Sequence, residues 1–378
     1  MRILVVGAGP AGLYFSYLAK GRHPDWQIRV VEQNRADSTF GFGVVFSDRA
    51  LEFLRGDDAT TYELITPQME AWSDITVVHR GTPVVIDGIG FAAIGRLKLL
   101  QLLQRQLASV GVVPEYEKAI SEEDQGYDLV VAADGVNSTV RGWRDFGTTV
   151  SRLENKFAWY GTTKVFDTLT QTFVENEHGT FNAHHYRHSS KMSTFVVECD
   201  PQTGARAGFA AMDEAQTLRY CERAFEATLA GHRLVSNRSL WRNFPNLRNQ
   251  RWSVGNTVLI GDALRTAHFS IGSGTRLAME DSVALYKAFR ELGPNDIPAA
   301  LARFQQTRLP PMKKILDAAN VSIRWYEDMD RLVHELTPVE FAYSYMTRTG
   351  RVNHAEVKRR DPELAAAYEA LHPEVTAT

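Results

Sequence analysis

Three glycines near the start of the chain, Gly7, Gly9 and Gly12, lie in RILVVGAGPAG (Arg2–Gly12), where an apolar run passes through a glycine turn into a helix opening. That order suits the binding of a pyrophosphate. Gly7 permits the tight turn, Gly9 lets the backbone come within hydrogen-bonding distance of a phosphate, and Gly12 lets helix and strand pack closely. Glycine turns are common, so the accompanying carboxylate decides the matter. A second apolar run, Ile28–Val31, follows the helix expected over Ala11–Lys20 and ends in Glu32, twenty residues past Gly12. A carboxylate there accepts hydrogen bonds from ribose hydroxyls and repels a 2′-phosphate, so the expected nucleotide is NAD or FAD rather than NADP.

Two more acids end apolar runs beside glycine. Asp134 closes DLVVAAD (Asp128–Asp134) and precedes Gly135, a pattern for a buried parallel strand returning to the first sheet. Asp262 follows Gly261 in TVLIGD (Thr257–Asp262), and the chain then runs through Gly272 and Gly274 into a helix expected over Arg276–Phe289. In TFGFGVVFSD (Thr39–Asp48), Gly41 and Gly43 allow close backbone approach to a flat ligand, or simply a turn. Arg96 opens a helix expected over Leu97–Val110, whose apolar stripe is Leu99, Leu100, Leu103 and Leu107. It can reach an anion at the nucleotide site or stand in solvent.

The elements that position these residues are discontinuous in the chain. Ile75–His79 and Val84–Asp87 read as a hairpin around RGTP. From about Arg152 to Asp200 the pattern becomes aromatic and β-branched, with Phe157–Gly161, Gln171–Glu175, Phe181–Tyr186 and Ser193–Glu198 as antiparallel strands, followed by a helix over Asp213–Ala230. One domain is therefore expected to interrupt another. The nucleotide-binding domain takes 1–72, 95–150 and 250–325, a substrate domain takes 73–94 and 151–249, and 326–378 forms a helical C-terminal segment.

Bulk properties exclude several classes. At 378 residues and 44% hydrophobic, the chain can bury one large core or two joined ones. Cys199 and Cys221 make no disulfide framework and no metal spacing. His184–His185 lacks zinc-site spacing and a third ligand, so no metal is expected, and no GxSxG elbow supports serine hydrolysis. A net charge of −3 argues against a nucleic-acid partner. MRILVV has no cationic leader and no apolar run is long enough to span a membrane, so the expectation is a cytoplasmic protein without membrane contact.

GAGPAG at Gly7–Gly12, AADGVNSTVR at Ala132–Arg141 and GDALRTAHFSIGSG at Gly261–Gly274, in that order, resemble the class A flavoprotein monooxygenases of the p-hydroxybenzoate hydroxylase-like family over nearly the whole chain. The resemblance implies an α/β fold, a Rossmann-like FAD-binding domain interrupted by a mainly antiparallel β substrate domain. It implies bound FAD, NADH or NADPH as a transient co-substrate, O2, and hydroxylation of an aromatic substrate through a flavin C4a-hydroperoxide. The FAD contacts carried over are Gly7, Gly9, Pro10, Ala11 and Gly12 in the first motif, then Glu32 and Gln33, Gly43 and Val44, and Arg96. Asp134 and Gly135 come from the second motif, and Gly261, Asp262, Gly272, Gly274 and Thr275 from the third. The helix starting near Gly274 would aim its positive end at the reduced flavin.

The third motif departs from the family. GDALR stands where GDAAH is frequent, and His268 and Phe269 replace the usual prolines, which makes the wall beside the flavin particular to a subgroup. AHFSIGSGTRLAMEDS with GFGVVFSD, WYGTTKVFD, MSTFVVEC and the tail FAYSYMTRTGRVNHAEVKRRDP (Phe341–Pro362) is similar to the subgroup that hydroxylates aryl-CoA thioesters, here in stand-alone form. Salicylyl-CoA, hydroxylated at position 5, is the implied substrate. A tryptophan-derived or free aromatic metabolite, a flavin oxidase or reductase without oxygen insertion, and a NAD-binding regulatory module are the alternatives. A homo-oligomer is possible in this family.

A phenol or aniline ring is activated by a nearby hydrogen-bond acceptor, and His184, His185, Tyr186 and Tyr160 are the candidates on the antiparallel layer. Alternation puts His184 and Tyr186 on one face and His185 on the other. His184 with His268 is the favoured pair, Phe269 completing the wall. Asp128 and Glu198 read as fold elements.

Overall fold

The computed structural model describes residues 1–121 and 126–377; of the spans expected above, residues 122–125 and 378 fall outside. Three sheets organise the chain.

The first has five strands, in the order Ser253–Val254, Thr257–Leu259, Leu129–Ala132, Arg2–Val6, Gln27–Val31. All pairings are parallel except the short Ser253–Val254 edge. Ile3, Leu4, Val5 and Leu129 to Ala132 are buried on both faces, as expected of a parallel sheet covered by helices. The helices Pro10–Arg22, Arg96–Ser109 and Gly274–Leu292 contribute to the same apolar core. All lie within a few residues of the expected bounds.

An eight-stranded sheet forms the second layer. Its path runs Leu234–Val235, Thr148–Thr162, Ser193–Cys199, Gly179–Arg187, Leu169–Asn176, Ile75–His79, Thr82–Ile86, and Arg242–Asn249 pairs with the first half of the long Thr148–Thr162 strand. It is antiparallel except where Ile75–His79 joins Leu169–Asn176 in parallel. The hairpin turn is tighter than expected. Arg80 and Gly81 alone make it, both at positive φ, and Thr82 and Pro83 belong to the strand. Pro83 is tolerated because that strand is the edge of the sheet.

Strict alternation separates the two faces of this layer. Trp159, Val196, His184 and Gln171 lie in register across four strands. That face packs on the C-terminal helices, of which the Ile297–Glu327 helix supplies Trp325 and Tyr326. The opposite face, carrying Ala158, Tyr160, Phe195 and Val197, packs on helices that follow Asp200. There the single helix expected over Asp213–Ala230 is broken into Glu214–Ala224 and Glu226–Leu229, with Asp213 and Gln216 closing a capping box.

A third, three-stranded antiparallel sheet has no counterpart in the sequence reading: Gly43–Ser47, Phe91–Gly95 and Glu70–Trp72. The segment whose Gly41 and Gly43 allow close approach to a flat ligand, or a turn, is a strand from Gly43 onward. The C-terminal region is helical, with Met329–Glu335, Pro338–Thr347, His354–Arg360 and Pro362–Leu371. The division placed at 325/326 falls inside the last turn of the Ile297–Glu327 helix.

Candidate functional site

The glycines of the first motif have distinct physical reasons. Gly7 sits at φ +105°, and a Cβ there would lie 2.3 Å from the Ala133 carbonyl oxygen; a Cβ on Gly12 would lie 2.0 Å from the Gly7 oxygen. Both are packing glycines. A Cβ on Gly9 meets nothing within 4 Å, so at Gly9 the backbone borders open space. It precedes a helix whose first turn carries no acid and no side-chain cap, with Pro10 and Ala11 leading it, so its amides are free to meet an anion. Glu32 is drawn back to the same turn: one carboxylate oxygen accepts from the Ala8 amide at 2.9 Å, the other from the Asn34 amide and side chain. Gln33, next to it, is exposed.

The Gly261–Asp262 turn is gripped from behind by buried charges. Asp281 accepts from the Gly261 amide at 3.0 Å, Arg265 donates to the Gly261 carbonyl at 2.7 Å, and Arg265 and Asp281 pair at 2.8 Å. Arg308, from the Ile297–Glu327 helix, bonds Asp281 at 2.9 Å and Glu280 at 2.6 Å. Arg265, Asp281 and Arg308 are almost wholly buried. The unusual GDALR sequence is thereby explained, since Arg265 holds both its own turn and the helix behind it. Asp262 itself opens to solvent in the crevice, yet the surrounding protein desolvates it and raises its pKa against the pull of Arg265 and Arg96.

Two further groups converge on that crevice with polar atoms to spare. Asp134 accepts from the amides of Thr139 and Val140 through one oxygen, while its other oxygen is buried without a partner. The Arg96 Nε is likewise buried and unpartnered, desolvation lowering its pKa while the Asp262 charge opposes this. Arg141 ties the two acid turns together, donating to the carbonyls of Val136 and Ala263. Gly135 borders open space, a Cβ on Gly274 would make only an ordinary contact with the Ala267 carbonyl oxygen at 4.0 Å, and Gly274 and Thr275 begin a helix without a side-chain cap. An anionic dinucleotide fits such a set: open glycine backbone, uncapped helix starts, and buried polar atoms awaiting partners.

Gly272 and Gly43 differ from these. A Cβ on Gly272 would meet Val45 at 2.9 Å, so the loop before the Gly274–Leu292 helix packs on the three-stranded sheet. Gly43 donates its amide to Thr194 Oγ1 at 2.9 Å and accepts from the Tyr186 hydroxyl at 3.1 Å, and a Cβ there would lie 2.5 Å from His188 Cβ. The closeness of His188 accounts for glycine at this position. Val44 is buried in the nucleotide-side core.

Beside this crevice the sheet presents aromatic side chains. Phe269 lies 4.9 Å from Phe157, 5.9 Å from Trp159, 5.2 Å from His184 and 4.0 Å from His268, ring centre to ring centre. The three residues expected to act on substrate are therefore together. His184, however, has both ring nitrogens engaged. Tyr326 donates to the Gln171 oxygen at 3.2 Å, which turns the Gln171 amide nitrogen toward His184 Nδ1 at 3.0 Å, and His184 Nε2 then faces Glu198 at 3.3 Å. The hydrogen bonding assigns the proton to Nε2. Burial holds the His184 pKa down, opposed by Glu198. Glu198, read from sequence as a fold element, is instead the buried anion of this cluster, also receiving the Asn155 amide at 2.9 Å.

Tyr186 shares the His184 face and its pKa is pushed up to about 12 by burial, while its hydroxyl is spent on Gly43. His185 and Tyr160 face the other way. His185 stacks on Phe195 and bonds Thr172, and Tyr160 packs in the opposite core, so neither reaches the crevice. Arg348, which nothing in the sequence singled out, lies 3.9 Å over the Tyr345 ring and bonds Ser322, the Tyr345 carbonyl and the Ser270 carbonyl. It joins the C-terminal helices to the loop that carries Phe269.

A parallel dinucleotide-type sheet beside an aromatic-lined antiparallel one is the architecture of an FAD-dependent hydroxylase. A family model described as an FAD binding domain matches residues 110–319, more than half of the chain. The chain is 41% identical to salicyloyl-CoA 5-hydroxylase of Streptomyces sp. over 92% of its length and 70% of that protein. It is 37% identical to protodeoxyviolaceinate monooxygenase of Chromobacterium violaceum, covering 92% and 94% of the two chains. Among solved structures, P. aeruginosa PqsL in complex with 2-aminobenzoylacetate superposes with a TM-score of 0.69 at 20% identity, covering 88% of this chain and 98% of the other. 2-Methyl-3-hydroxypyridine-5-carboxylic acid oxygenase superposes with a TM-score of 0.71 at 16% identity, covering 95% and 97%. The chain belongs to the class A FAD-dependent aromatic monooxygenases. Among the described residues no helix is long and apolar enough to cross a membrane.

Proposed function

We propose that this flavoprotein hydroxylates an aryl-CoA thioester, salicyloyl-CoA at position 5, using O2 and NADH or NADPH. The observation that carries the substrate is the 41% identity to salicyloyl-CoA 5-hydroxylase across both the nucleotide motifs and the aromatic layer. FAD, when bound, supplies the electron transfer and oxygen activation. In this reading the open backbone at Gly9 and the following helix start take the pyrophosphate, Glu32 takes the ribose, and Arg96, Asp134 and Asp262 supply the unpaired polar atoms that meet the rest of the dinucleotide. Gly135, Gly274 and Thr275 leave room for it.

The residues around the aromatic wall then have separate tasks. Phe269, braced by Phe157 and Trp159, excludes water and orients the ring. His184, with both nitrogens committed, is a positioning residue that braces Phe269 and Tyr326. His268 borders the same space. In this reading 1–72, 95–150 and 250–325 serve FAD, 73–94 and 151–249 serve the substrate, and 326–378 is the helical C-terminal segment, whose Arg348 bonds the Ser270 carbonyl.

A second reading, a free or tryptophan-derived aromatic, is favoured by the 37% identity to protodeoxyviolaceinate monooxygenase. Anaerobic mixing of the yellow protein with NADH or NADPH decides between them. Salicyloyl-CoA should accelerate flavin bleaching, and labelled O2 should then place one oxygen atom in the thioester product. Acceleration by an indolic acid, with no response to salicyloyl-CoA or 2-aminobenzoyl-CoA, refutes the thioester assignment.

A further inference from the structure

We infer that His268 works as a neutral hydrogen-bond donor through its Nε2–H, and that the aromatic substrate accepts this bond with an ionised phenolate oxygen, so that neither His268 nor His184 takes the phenol O–H proton. The inference rests on the aromatic-hydroxylase reading and deepens it.

The local backbone sets the tautomer. His268 precedes a short helical turn, Phe269–Ile271, and its Nδ1 accepts the Ser270 amide at 3.3 Å. A ring nitrogen that accepts an N–H carries no proton, so the one proton of the neutral ring resides on Nε2. That atom has no hydrogen-bond partner among the described residues and is not sealed from solvent, although His268 as a whole is 5% exposed. Burial lowers the His268 pKa to about 4, with Glu198 pulling upward and His184 pushing downward. The ring is neutral throughout the physiological range.

The neighbourhood offers this donor no basic partner. Both His184 nitrogens are bonded, to Gln171 and to Glu198, and Glu198 lies buried behind that ring. On the other side, Arg348 donates to the Ser270 carbonyl at 3.1 Å and makes no ion pair among the described residues, so its charge is uncompensated beside the wall. Arg242 stands 5.4 Å over the Phe157 ring. Taken together, Glu198 spends its charge on His184 and Asn155, while Arg348, Arg242 and the His268 Nε2–H leave the wall rich in donors and positive charge. A phenolate oxygen is stabilised there, whereas a neutral phenol that had to lose its proton would find no free imidazole nitrogen to take it.

Nitrogen-15 histidine spectra of the FAD-loaded protein read the tautomer without any substrate, His268 being assigned by the signal lost in His268→Gln. The expected result is an Nε2-protonated ring that does not titrate between about pH 5.5 and 9. An Nδ1-protonated ring, or titration inside that range, overturns the inference. The second arm measures binding of salicyloyl-CoA and of ring-fluorinated analogues with more acidic phenols. The pH at which binding is lost should move with the phenol pKa of each analogue; a limb at one fixed pH for all of them overturns the phenolate assignment. His268→Ala should weaken binding about 10- to 100-fold, the loss of one hydrogen bond to a charged group, and His268→Gln, which keeps an N–H, by less. Equal losses in the two variants count against the donor role. Failure of every aryl thioester to bind, with the tautomer as stated, strikes the substrate reading and not the imidazole.

Discussion

Gly9→Ala should separate a ligand glycine from a packing glycine, because its effects on folding and on cofactor retention are opposite in size. Gly9 sits at φ −74°, ψ 179°, a conformation open to any residue, and its added Cβ would meet nothing within 4 Å. Alanine there gains about 0.4–1 kcal/mol from reduced unfolded-chain freedom and loses a similar amount as a poorer helix cap, about 0.5–1 kcal/mol. The apoprotein should therefore melt within about 3 °C of the parent. FAD is another matter. The methyl group would occupy the space through which the amides reach the pyrophosphate, and losing one such charge-assisted bond, about 1.5–3 kcal/mol, weakens binding roughly 10- to 100-fold. Gly12→Ala is the contrast: its Cβ would lie 2.0 Å from the Gly7 oxygen, so the apoprotein itself should be destabilised by about 1–3 kcal/mol or more. Thermal melts of the two apoproteins and FAD titration by fluorescence quenching measure both quantities. If Gly9→Ala binds FAD within about threefold of the parent, or melts as low as Gly12→Ala, the cradle is misassigned.

Asp281→Asn should lower stability by about 3–5 kcal/mol, since it leaves the Arg265 and Arg308 guanidinium groups facing a neutral amide, and urea midpoints at neutral pH report the loss. Acid should expose the buried imidazoles: His268 protonates near pH 4 when folded but near 6.5 when unfolded, so the unfolded chain takes up the proton first and about 3 kcal/mol of stability is lost as pH falls through that window. Urea melts at both ends of the window should show a shallower loss in His268→Gln. Phe269→Ala should keep FAD but spend more NADH or NADPH per hydroxylated product, with the excess appearing as hydrogen peroxide; unchanged coupling would assign Phe269 to packing alone. Gly43→Ala should destabilise the protein through its 2.5 Å approach to His188 Cβ without a separate loss of FAD affinity, which paired melts and titrations distinguish.

What could be read from the chain was local. The first strand, turn and helix, Glu32 after the second strand, and the two acid–glycine turns each lie within a short window, and hydrophobic period plus turn residues suffice to find them. Alternation also assigned His184 and His185 to opposite faces. The unread part depended on partners far apart in sequence. Arg265 looked like a departure from pattern until Asp281 and Arg308 surrounded it, and Glu198 became part of the site only through His184 on the neighbouring strand. Arg348 reaches across 78 residues to Ser270, a contact no spacing rule contains. The three-stranded sheet escapes the sequence for the same reason: its strands are short and far apart in the chain, and two of them carry glycine, Gly43 opposite Gly95.

The order of strands in the parallel sheet bears on how the chain reaches its folded state. Arg2–Val6 can pair early with Gln27–Val31, but its other neighbour is Leu129–Ala132, whose own far side awaits Thr257–Leu259. A ribosome emitting this chain thus releases the whole antiparallel layer before the nucleotide sheet can close. Three of that layer's seven pairings join successive strands, and all its strands have been released by then, so it can assemble while the amino-terminal strands wait with an open edge. Closure of the parallel sheet is then the long-range, entropically slow step. The turn carrying Asp262 comes into being only at that closure, so cofactor capture through it marks the end of folding and makes flavin fluorescence a clock for the last event.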